Sequence, residues 1–244
     1  MEENENKIKE SRKGYPIQLS KEQVHAILNE AEKRDDFDYM LFLTLTKTGR
    51  RLGELYGLQK KKEIGRKKVG DKNIRYKGKE LTIERSIPIY KKLPVWMGGV
   101  KVSHIDFERG MMKVWVLKRR KHIQEESILT PEVLRVIKSY IKSNQLKLDD
   151  YLFRKRSYRQ IENKIKYYAK KAGIKTKIMV DGIKFSLSCH SLRHYFITEL
   201  IKKGRSKTEI IKLTGHKDEK TLAIYDHVLS SDFKEGMMDD IKDL

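Results

Sequence analysis

Along most of the chain, apolar residues recur three and four positions apart, which is the pattern of a helix that buries one face. The first such stretch opens with Ser20 and Gln23, a capping-box pair typical of a helix N-terminus. Thr130 followed by Pro131 marks another start, because proline fits the first position of a helix. The predicted helices cover about 20–34, 36–47, 51–58, 131–141, 157–171, 190–203 and 206–215, and a further helix carries Tyr225.

Between the third and fourth of these helices the apolar period shortens to two, which indicates strands. The alternating segments VKVSHIDF, MMKVWVLK and IQEESIL follow one another across turns at 108–110 and 119–122. They predict a three-stranded antiparallel sheet, and a second small hairpin is expected around Asp181–Gly182. The whole pattern predicts an α+β fold, a mainly α-helical domain with a small three-stranded antiparallel sheet.

One stretch, residues 59–99, fits neither pattern well. Between 60 and 92 it holds thirteen basic and only four acidic residues, and glycines at 65, 70 and 78 interrupt its β-prone runs. We expect an irregular basic hairpin inserted into the domain. Its charge density favours contact with DNA, and a solvated loop is the alternative.

The two ends of the chain differ in composition from its centre. Residues 1–19 are polar with mixed charge, which predicts a flexible N-terminal arm. The domain itself is expected to cover 20–230. Residues 231–244 form a separate tail with five acidic and two basic residues.

The chain is strongly basic. It has 55 Lys and Arg against 34 Asp and Glu among 244 residues, a formal net charge of +21. Neutralising phosphates releases counterions, so nucleic acid is the partner that this excess favours. The alternative is a generally lysine-rich surface, as some heat-adapted proteins carry.

Composition also excludes some classes of protein. Because Cys189 is the only cysteine, the chain can hold neither a disulfide framework nor a thiolate-rich metal site. The N-terminal segment MEENENKIKE has no apolar signal region, and no run approaches the length of a membrane span. We therefore expect a cytoplasmic protein with no membrane partner.

Five residues have the functional groups for chemistry on a phosphodiester: Arg51, His190, Arg193, His216 and Tyr225. Arginines can hold phosphate oxygens, histidines can hydrogen-bond or move protons, and a tyrosine hydroxyl can attack. Each residue alone has an ordinary interpretation, as a surface arginine, a capping histidine or a core aromatic. Their joint spacing is what favours catalysis.

The order and spacing of these motifs resemble the tyrosine site-specific recombinases, the integrases of the phage lambda type, in their catalytic domain. The family has TG-x-R-x-x-E-L, present as TGRRLGEL at 48–55, and then H-x-x-R, present at 190–193. It then has GH, present at 215–216, and a tyrosine nine positions later, here Tyr225. The resemblance covers about residues 20–230 and implies the tyrosine recombinase catalytic fold.

The resemblance implies site-specific DNA recombination or integration, as for a mobile element, by a metal-independent DNA strand transferase. Tyr225 would attack the scissile phosphate and form a 3′-phosphotyrosyl intermediate that rejoins without ATP. Arg51 and Arg193 would each present a planar fork to the non-bridging oxygens. His190 would help to deprotonate the tyrosine, and His216 would hydrogen-bond the phosphate. No cofactor and no metal are expected.

A hairpin lysine that protonates the leaving 5′ oxygen is the remaining family residue. Lys118 is the first candidate and Lys121 the alternative, because the turn KRRK at 118–121 departs in length from the usual family hairpin. Glu54 is expected to support the site by pairing with nearby positive charge. The residues expected to contact DNA are Lys60, Lys61, Lys62, Arg66, Lys67, Lys68, Arg119, Arg120 and Lys121.

Family members usually begin with a DNA-clamping helical domain of about a hundred residues. Fewer than twenty residues precede the first predicted helix, so we expect this domain to be missing and the insertion at 59–99 to compensate in part. The expected partners are double-stranded DNA, further copies of the chain in a dimer or tetramer, and a separate accessory DNA-binding protein. Residues 233–244 are expected to form an amphipathic helix that docks on another protomer, or else a frayed acidic end.

Two other functions use the same fold. A protein could keep the fold and bind DNA without chemistry, and the complete set of five residues argues against this. Type IB topoisomerase-like relaxation uses the same residues, so only the family spacing separates it from recombination.

Overall fold

The computed structural model of the chain describes residues 15–76, 79–116, 123–180, 182–215 and 222. Helices α1 to α7 cover Lys21–Glu32, Asp36–Thr48, Leu52–Tyr56, Pro131–Ser143, Tyr158–Lys171, Cys189–Lys202 and Lys207–Thr214. Strands β1 to β8 cover Tyr15–Pro16, Leu58–Tyr76, Lys79–Met97, Ile105–Asp106, Met111–Val116, Ile123–Ile128, Lys177–Val180 and Ile183–Ser186. These elements confirm the predicted α+β class. Within these residues, no helix is both long and apolar enough to cross a membrane.

Side chains that accept hydrogen bonds from the first turn set several helix starts. The Ser20 hydroxyl accepts from the Gln23 N–H, and the Gln23 side chain accepts from the Ser20 N–H at 3.0 Å, so the predicted capping box is present. Thr130 caps α4 through its hydroxyl, and Pro131 is the first residue of that helix. Local sequence is therefore sufficient to position these starts.

Helix α2 forms the centre of the core. Phe37, Met40, Leu41 and Phe42 are completely buried, and α2 packs against α1, α4 and α6. Ten of the thirteen residues of α2 are buried, and a helix that is buried on nearly all sides needs several partners. Helix α2 therefore fixes the positions of its neighbours relative to its own C-terminus at Thr48.

One carboxylate lies inside this core. Asp38 is fully buried and accepts hydrogen bonds from Arg156 Nε at 2.8 Å and from the Tyr168 hydroxyl at 2.7 Å. Burial and the Asp38 carboxylate raise the pKa of Tyr168. Because both partners belong to the segment that starts just before α5 and runs through it, the hydrogen-bonded charge ties α5 to α2.

The predicted three-stranded sheet is present, with antiparallel order β4-β5-β6. Alternate residues of β5, Met112, Val114 and Val116, are buried, as the period of two predicts. The first strand is shorter than the segment VKVSHIDF indicated, because Val102–His104 turns into a 3-10 helix and leaves two residues for β4. The sheet is therefore mainly a β5–β6 hairpin.

The structure places residues 15–19, the last part of the predicted N-terminal arm, on the body, and residues 1–14 lie outside the described residues. Tyr15–Pro16 forms β1 and pairs in parallel with β8, and the side chains of Ile17 and Leu19 are buried. Ile17 and Leu19 are only two alternating apolar residues, which is too few to establish a period of two. The hydrophobic pattern therefore did not predict this strand. Strand β8 also pairs with β7, and the hairpin predicted around 181–182 is present.

Helix α3 is shorter than the predicted 51–58. Arg51 is its N-cap, and Leu58 is already the first residue of β2. Gly57 ends the helix with a φ of 85°, and a Cβ atom there would lie 2.8 Å from the Gly98 carbonyl oxygen. The backbone segments that enter and leave the insertion therefore touch at this glycine.

The basic insertion forms the predicted hairpin, irregular at three places, and its strands are longer than the sequence indicated. Strands β2 and β3 have 19 residues each and pair antiparallel from Leu58 and Met97 to Tyr76 and Lys79. The pairing shifts register at three places without ending, as β-bulges do. At a rise of about 3.3 Å per residue, the pair is roughly 60 Å long. We call residues 58–97 the ribbon.

Candidate active site

The junction between α2 and α3 carries the first arginine motif. Gly49 ends α2 in the left-handed conformation with a φ of 60°, where glycine is favoured. A Cβ atom at Gly49 would lie 2.2 Å from the ring of Phe196 on α6. Glycine at this position therefore also permits α6 to pack closely against the segment that leads to Arg51.

Arg51 is held by the acidic residue of the same motif. Its Nη1 donates to Glu54 Oε1 at 2.9 Å, and its backbone N–H donates to Glu54 Oε2 at 3.1 Å. The Glu54 side chain is 2% exposed and that of Arg51 is 20% exposed. Arg51 Nε is buried and has no hydrogen-bond partner within the described part of the chain. The ion pair thus fixes the guanidinium and leaves N–H donors for an anion.

Arg193 of the H-x-x-R motif lies inside the body, with 1% of its surface exposed. Its Nη1 donates to the carbonyl oxygen of Gly49 at 2.6 Å. Gly49 precedes Arg51 by two positions. The structure therefore brings the two predicted arginine segments together at the α2–α3 junction.

Two histidines stand next to Arg193 on α6. His190 is exposed in the first turn, and its ring centroid lies 4.8 Å from that of His194. Burial and the positive charge of Arg193 lower the pKa of His194 from 6.5 to about 4. His194 is therefore uncharged at neutral pH, and the sequence motif gave no reason to single it out.

Arg50, the neighbour of Arg51, is a second residue that the sequence analysis missed. It is 1% exposed, and it donates from Nη1 to Glu125 Oε2 at 2.9 Å and from Nη2 to the Glu126 carbonyl at 3.0 Å. A Cβ atom at Gly215 would lie 2.9 Å from Arg50 Nη1 and 3.0 Å from Glu125 Oε2. The buried pair therefore joins the arginine junction, strand β6 and the end of α7. Two adjacent arginines in a sequence do not show which of the two side chains is buried.

A small apolar cluster brings a later part of the chain back to α6. Ile197 of α6, Ile210 of α7 and Leu222 belong to one buried group. Leu222 lies between the predicted site residues His216 and Tyr225 in the sequence. The described part of this segment is thus anchored on the helix that carries the H-x-x-R motif.

Several predicted site residues lie outside the described part of the structure. They are Lys118, Arg119, Arg120, Lys121, His216 and Tyr225. The same holds for the side chains of Lys60, Lys61 and Lys62 on β2, whereas Arg66, Lys67 and Lys68 are exposed on the ribbon. Helix α7 ends at Gly215 with a φ of 66°, directly before His216.

Residues 95–231 match the model of the phage integrase family, more than half of the chain. The chain therefore belongs to this family, and its fold is that of a tyrosine recombinase catalytic domain. Among curated proteins, tyrosine recombinase XerA of Saccharolobus solfataricus is 34% identical over 137 residues. This match covers 56% of the chain and 41% of the XerA protein. The predicted resemblance is confirmed.

Solved structures agree on the fold. A crystal structure of XerA recombinase superposes with a TM-score of 0.60 at 22% identity, over 93% of this chain and 64% of that one. A lambda integrase (75–356) dimer bound to a COC′ core site gives 0.51 at 16% identity, over 86% and 61%. The chain spans less than half the length of the curated XerA.

Proposed function

We propose that this chain cleaves and rejoins DNA through a 3′-phosphotyrosyl intermediate, in site-specific recombination or integration. The observation that carries the proposal is the hydrogen bond from Arg193 to the Gly49 carbonyl. It joins the H-x-x-R helix to the TG-x-R junction across 144 positions of sequence. This contact supports one phosphate site that receives guanidinium groups from two distant motifs.

The surroundings of these arginines suit a transition state with growing negative charge. Arg193 is buried and oriented by the Gly49 carbonyl, and Arg51 is oriented by Glu54. Donors that are fixed before reaction need no reorganisation when charge develops, and one such donor contributes about 10²–10³ in rate. Since Arg51 keeps a buried Nε without a partner among the described residues, it can add a bond to a bound phosphate.

The proposed reaction conserves its atoms and charges without an energy source. The phenolic oxygen of Tyr225 attacks phosphorus as the P–O5′ bond breaks, and its proton passes to His190. Lys118, or Lys121 as the alternative, gives a proton to the leaving 5′ oxygen, while His216 hydrogen-bonds the phosphate. Rejoining reverses each step, because the phosphotyrosyl bond keeps the energy of the broken one.

The comparison with a solved structure also supports the proposed partners. The similar lambda integrase is a dimer bound to a DNA core site, which supports duplex DNA and further copies of this chain as partners. Arg66, Lys67 and Lys68, which the sequence predicted as DNA contacts, are exposed on the ribbon, and the ribbon face on which each one lies decides which of them can reach the phosphates. The turn residues 119–121 are proposed phosphate contacts. A separate accessory DNA-binding protein, docking of the tail at 233–244 and a cytoplasmic location stay predictions.

A covalent-adduct assay tests the proposal. Nicked suicide duplexes from a panel of sequences are incubated with the protein, and the adduct is counted on a denaturing gel. We expect an adduct with the wild-type chain and none with Tyr225→Phe. Arg193→Ala should also abolish the adduct and change DNA affinity by no more than about threefold, because affinity is spread over many lysines.

The same assay separates the alternatives. A wild-type chain that binds DNA and forms no adduct on any sequence contradicts the proposal and indicates a binding protein without chemistry. An adduct accompanied by plasmid relaxation, with no strand exchange between two DNA molecules, indicates topoisomerase-like activity. An equal loss of binding and adduct in Arg193→Ala contradicts the role given to that residue.

A further inference from the structure

The backbone pairing divides the ribbon into two faces. Directly paired residues lie on one face, and successive residues of a strand alternate between faces. Strand β3 runs from 79 to 92 without a shift, so its odd-numbered residues and their partners define one face, and its even-numbered residues define the other. Lys60, Ile64 and Val69 stand at the register shifts and belong to neither set.

The two faces differ sharply in composition. Among the paired positions that define the odd-numbered face, six are basic, at Lys62, Lys67, Lys72, Lys79, Arg85 and Lys91, and none is acidic. The same face has six apolar residues, at Ile74, Tyr76, Leu81, Ile83, Ile87 and Ile89. We call it the apolar–basic face. All four acidic residues of the ribbon lie on the other, mixed face, at Glu63, Asp71, Glu80 and Glu84.

Side-chain contacts agree with this division. On the mixed face, Lys68 Nζ lies 3.4 Å from Asp71 Oδ1. Part of the positive charge of the mixed face is therefore neutralised within the ribbon. On the apolar–basic face, Ile87 and Ile89 are 52% and 44% exposed. Lys91 is exposed on this face as well. Exposed isoleucines between lysines, with no acidic residue on the face, are the mark of a surface that meets a partner.

We infer that the ribbon binds duplex DNA with its apolar–basic face, while the mixed face stays towards solvent. The inference rests on the proposed function and names the surface that follows the DNA outside the cleavage site. A two-stranded β-ribbon fits the major groove. Its lysines would then lie beside the phosphates of the groove walls, and its isoleucines would contact sugars and base edges, including thymine methyl groups.

Matched double substitutions test which face carries the contacts. Lys67→Ala/Lys91→Ala removes two charges from the apolar–basic face, and Arg66→Ala/Lys68→Ala removes two from the mixed face. All four side chains are exposed. Dissociation constants are measured by fluorescence anisotropy, at several KCl concentrations, on a duplex long enough to cover both body and ribbon. Each lost phosphate contact lowers the salt slope by about 0.9, so we expect a fall of about 1.8 for the first pair and under about 0.5 for the second.

A second set of matched double substitutions tests the two exposed isoleucines. Ile87→Ser/Ile89→Ser should weaken binding by about tenfold or more with an unchanged salt slope, because apolar contacts release no counterions. Ile64 and Val69 are 59% and 49% exposed, at the register shifts. Ile64→Ser/Val69→Ser should therefore change affinity by less than about twofold on the same reasoning.

Three results would overturn the inference. They are equal falls in salt slope for the two lysine–arginine pairs, a larger fall for the mixed face, or unchanged affinity in Ile87→Ser/Ile89→Ser with a change in the protein's sedimenting mass. The last result would mean that two copies of the chain pack through this face. These measurements need no catalysis, so a chain that forms no adduct can still show the asymmetry. An adduct-forming chain with symmetric losses keeps the proposed function and loses only the ribbon inference.

Discussion

The body around the site and the ribbon are organised in opposite ways. In the body, Arg50, Arg51 and Arg193 are each fixed by a hydrogen bond of 2.9 Å or less to a partner from a packed element. The ribbon is one pair of strands that leaves Ile87 and Ile89 exposed, and an isolated hairpin is only marginally stable in water. The arginines, whose chemistry needs accurate placement, are therefore held by packed elements of the body. The proposed DNA-contact surface lies instead on the ribbon, where the side chains have few neighbours.

Removing the ribbon should give the largest effect on DNA binding and separates the two regions most directly. Gln59 and Trp96 are paired across the base, so residues 60–95 can be replaced by Asn-Gly, which closes a two-residue hairpin. Losing six phosphate contacts should lower the salt slope by about 5 and DNA affinity by at least about 10²-fold. Thermal unfolding of the body should barely change. A shortened chain that fails to fold would show that the ribbon stabilises the body.

Within the body, Gly49→Ala tests how tightly α6 is held against the arginine junction. The new Cβ would overlap the Phe196 ring, and the residue has a φ of 60°. Overpacking and a left-handed backbone together predict a loss of about 3–4 kcal/mol in the free energy of unfolding. Urea denaturation measures it.

Gly204→Ala is the matched control for that substitution. Gly204 has a φ of 72°, and no atom of the residues that the structure describes lies within 4 Å of a Cβ built there. Only the cost of the left-handed backbone remains, so the free energy of unfolding should fall by about 1–2 kcal/mol. Equal losses in the two variants would mean that Phe196 moves aside freely and that α6 is not fixed by Gly49.

Arg50→Met tests the ion pair between the buried Arg50 and the partly buried Glu125. It removes the Arg50 guanidinium from the partly buried Glu125 carboxylate and should cost about 2–3 kcal/mol in the free energy of unfolding, while Arg50→Met/Glu125→Gln should recover part of this loss. Lys47→Met is the control, because Lys47 pairs with Glu132 at 2.9 Å and both side chains are more than one-third exposed. Exposed pairs contribute about 0–1 kcal/mol. The single-turnover adduct rate should fall in Arg50→Met and not in the control, and equal rates would remove Arg50 from the site.

The sequence predicted what depends on neighbouring residues and missed what depends on distant ones. Capping at Ser20 and Thr130 is local, and both helix starts appear where expected. Burial of Arg50 depends on Glu125, 75 positions away, so the arginine doublet alone could not reveal it. The glycines of the insertion indicated breaks, whereas cross-strand pairing carries the ladder through Gly65 and Gly70 by shifts of register. Tyr225 and His216 were identified by spacing alone, and their placement stays a prediction.

The smallest expected effect concerns His194 and is read as a dependence of stability on pH. Its pKa in the folded chain is about 4, first because of burial and then because of Arg193, so the native state binds fewer protons than the unfolded state between pH 6.5 and 4. Stability should therefore fall as the pH falls through this window, by about 2 kcal/mol between pH 7.5 and pH 5. Urea denaturation at several pH values should show a flatter profile for His194→Gln. His25→Gln, which changes an exposed histidine on α1, should keep the wild-type profile. If both variants retain the wild-type slope, the loss at low pH arises elsewhere, and the packing of His194 beside Arg193 contributes nothing to it.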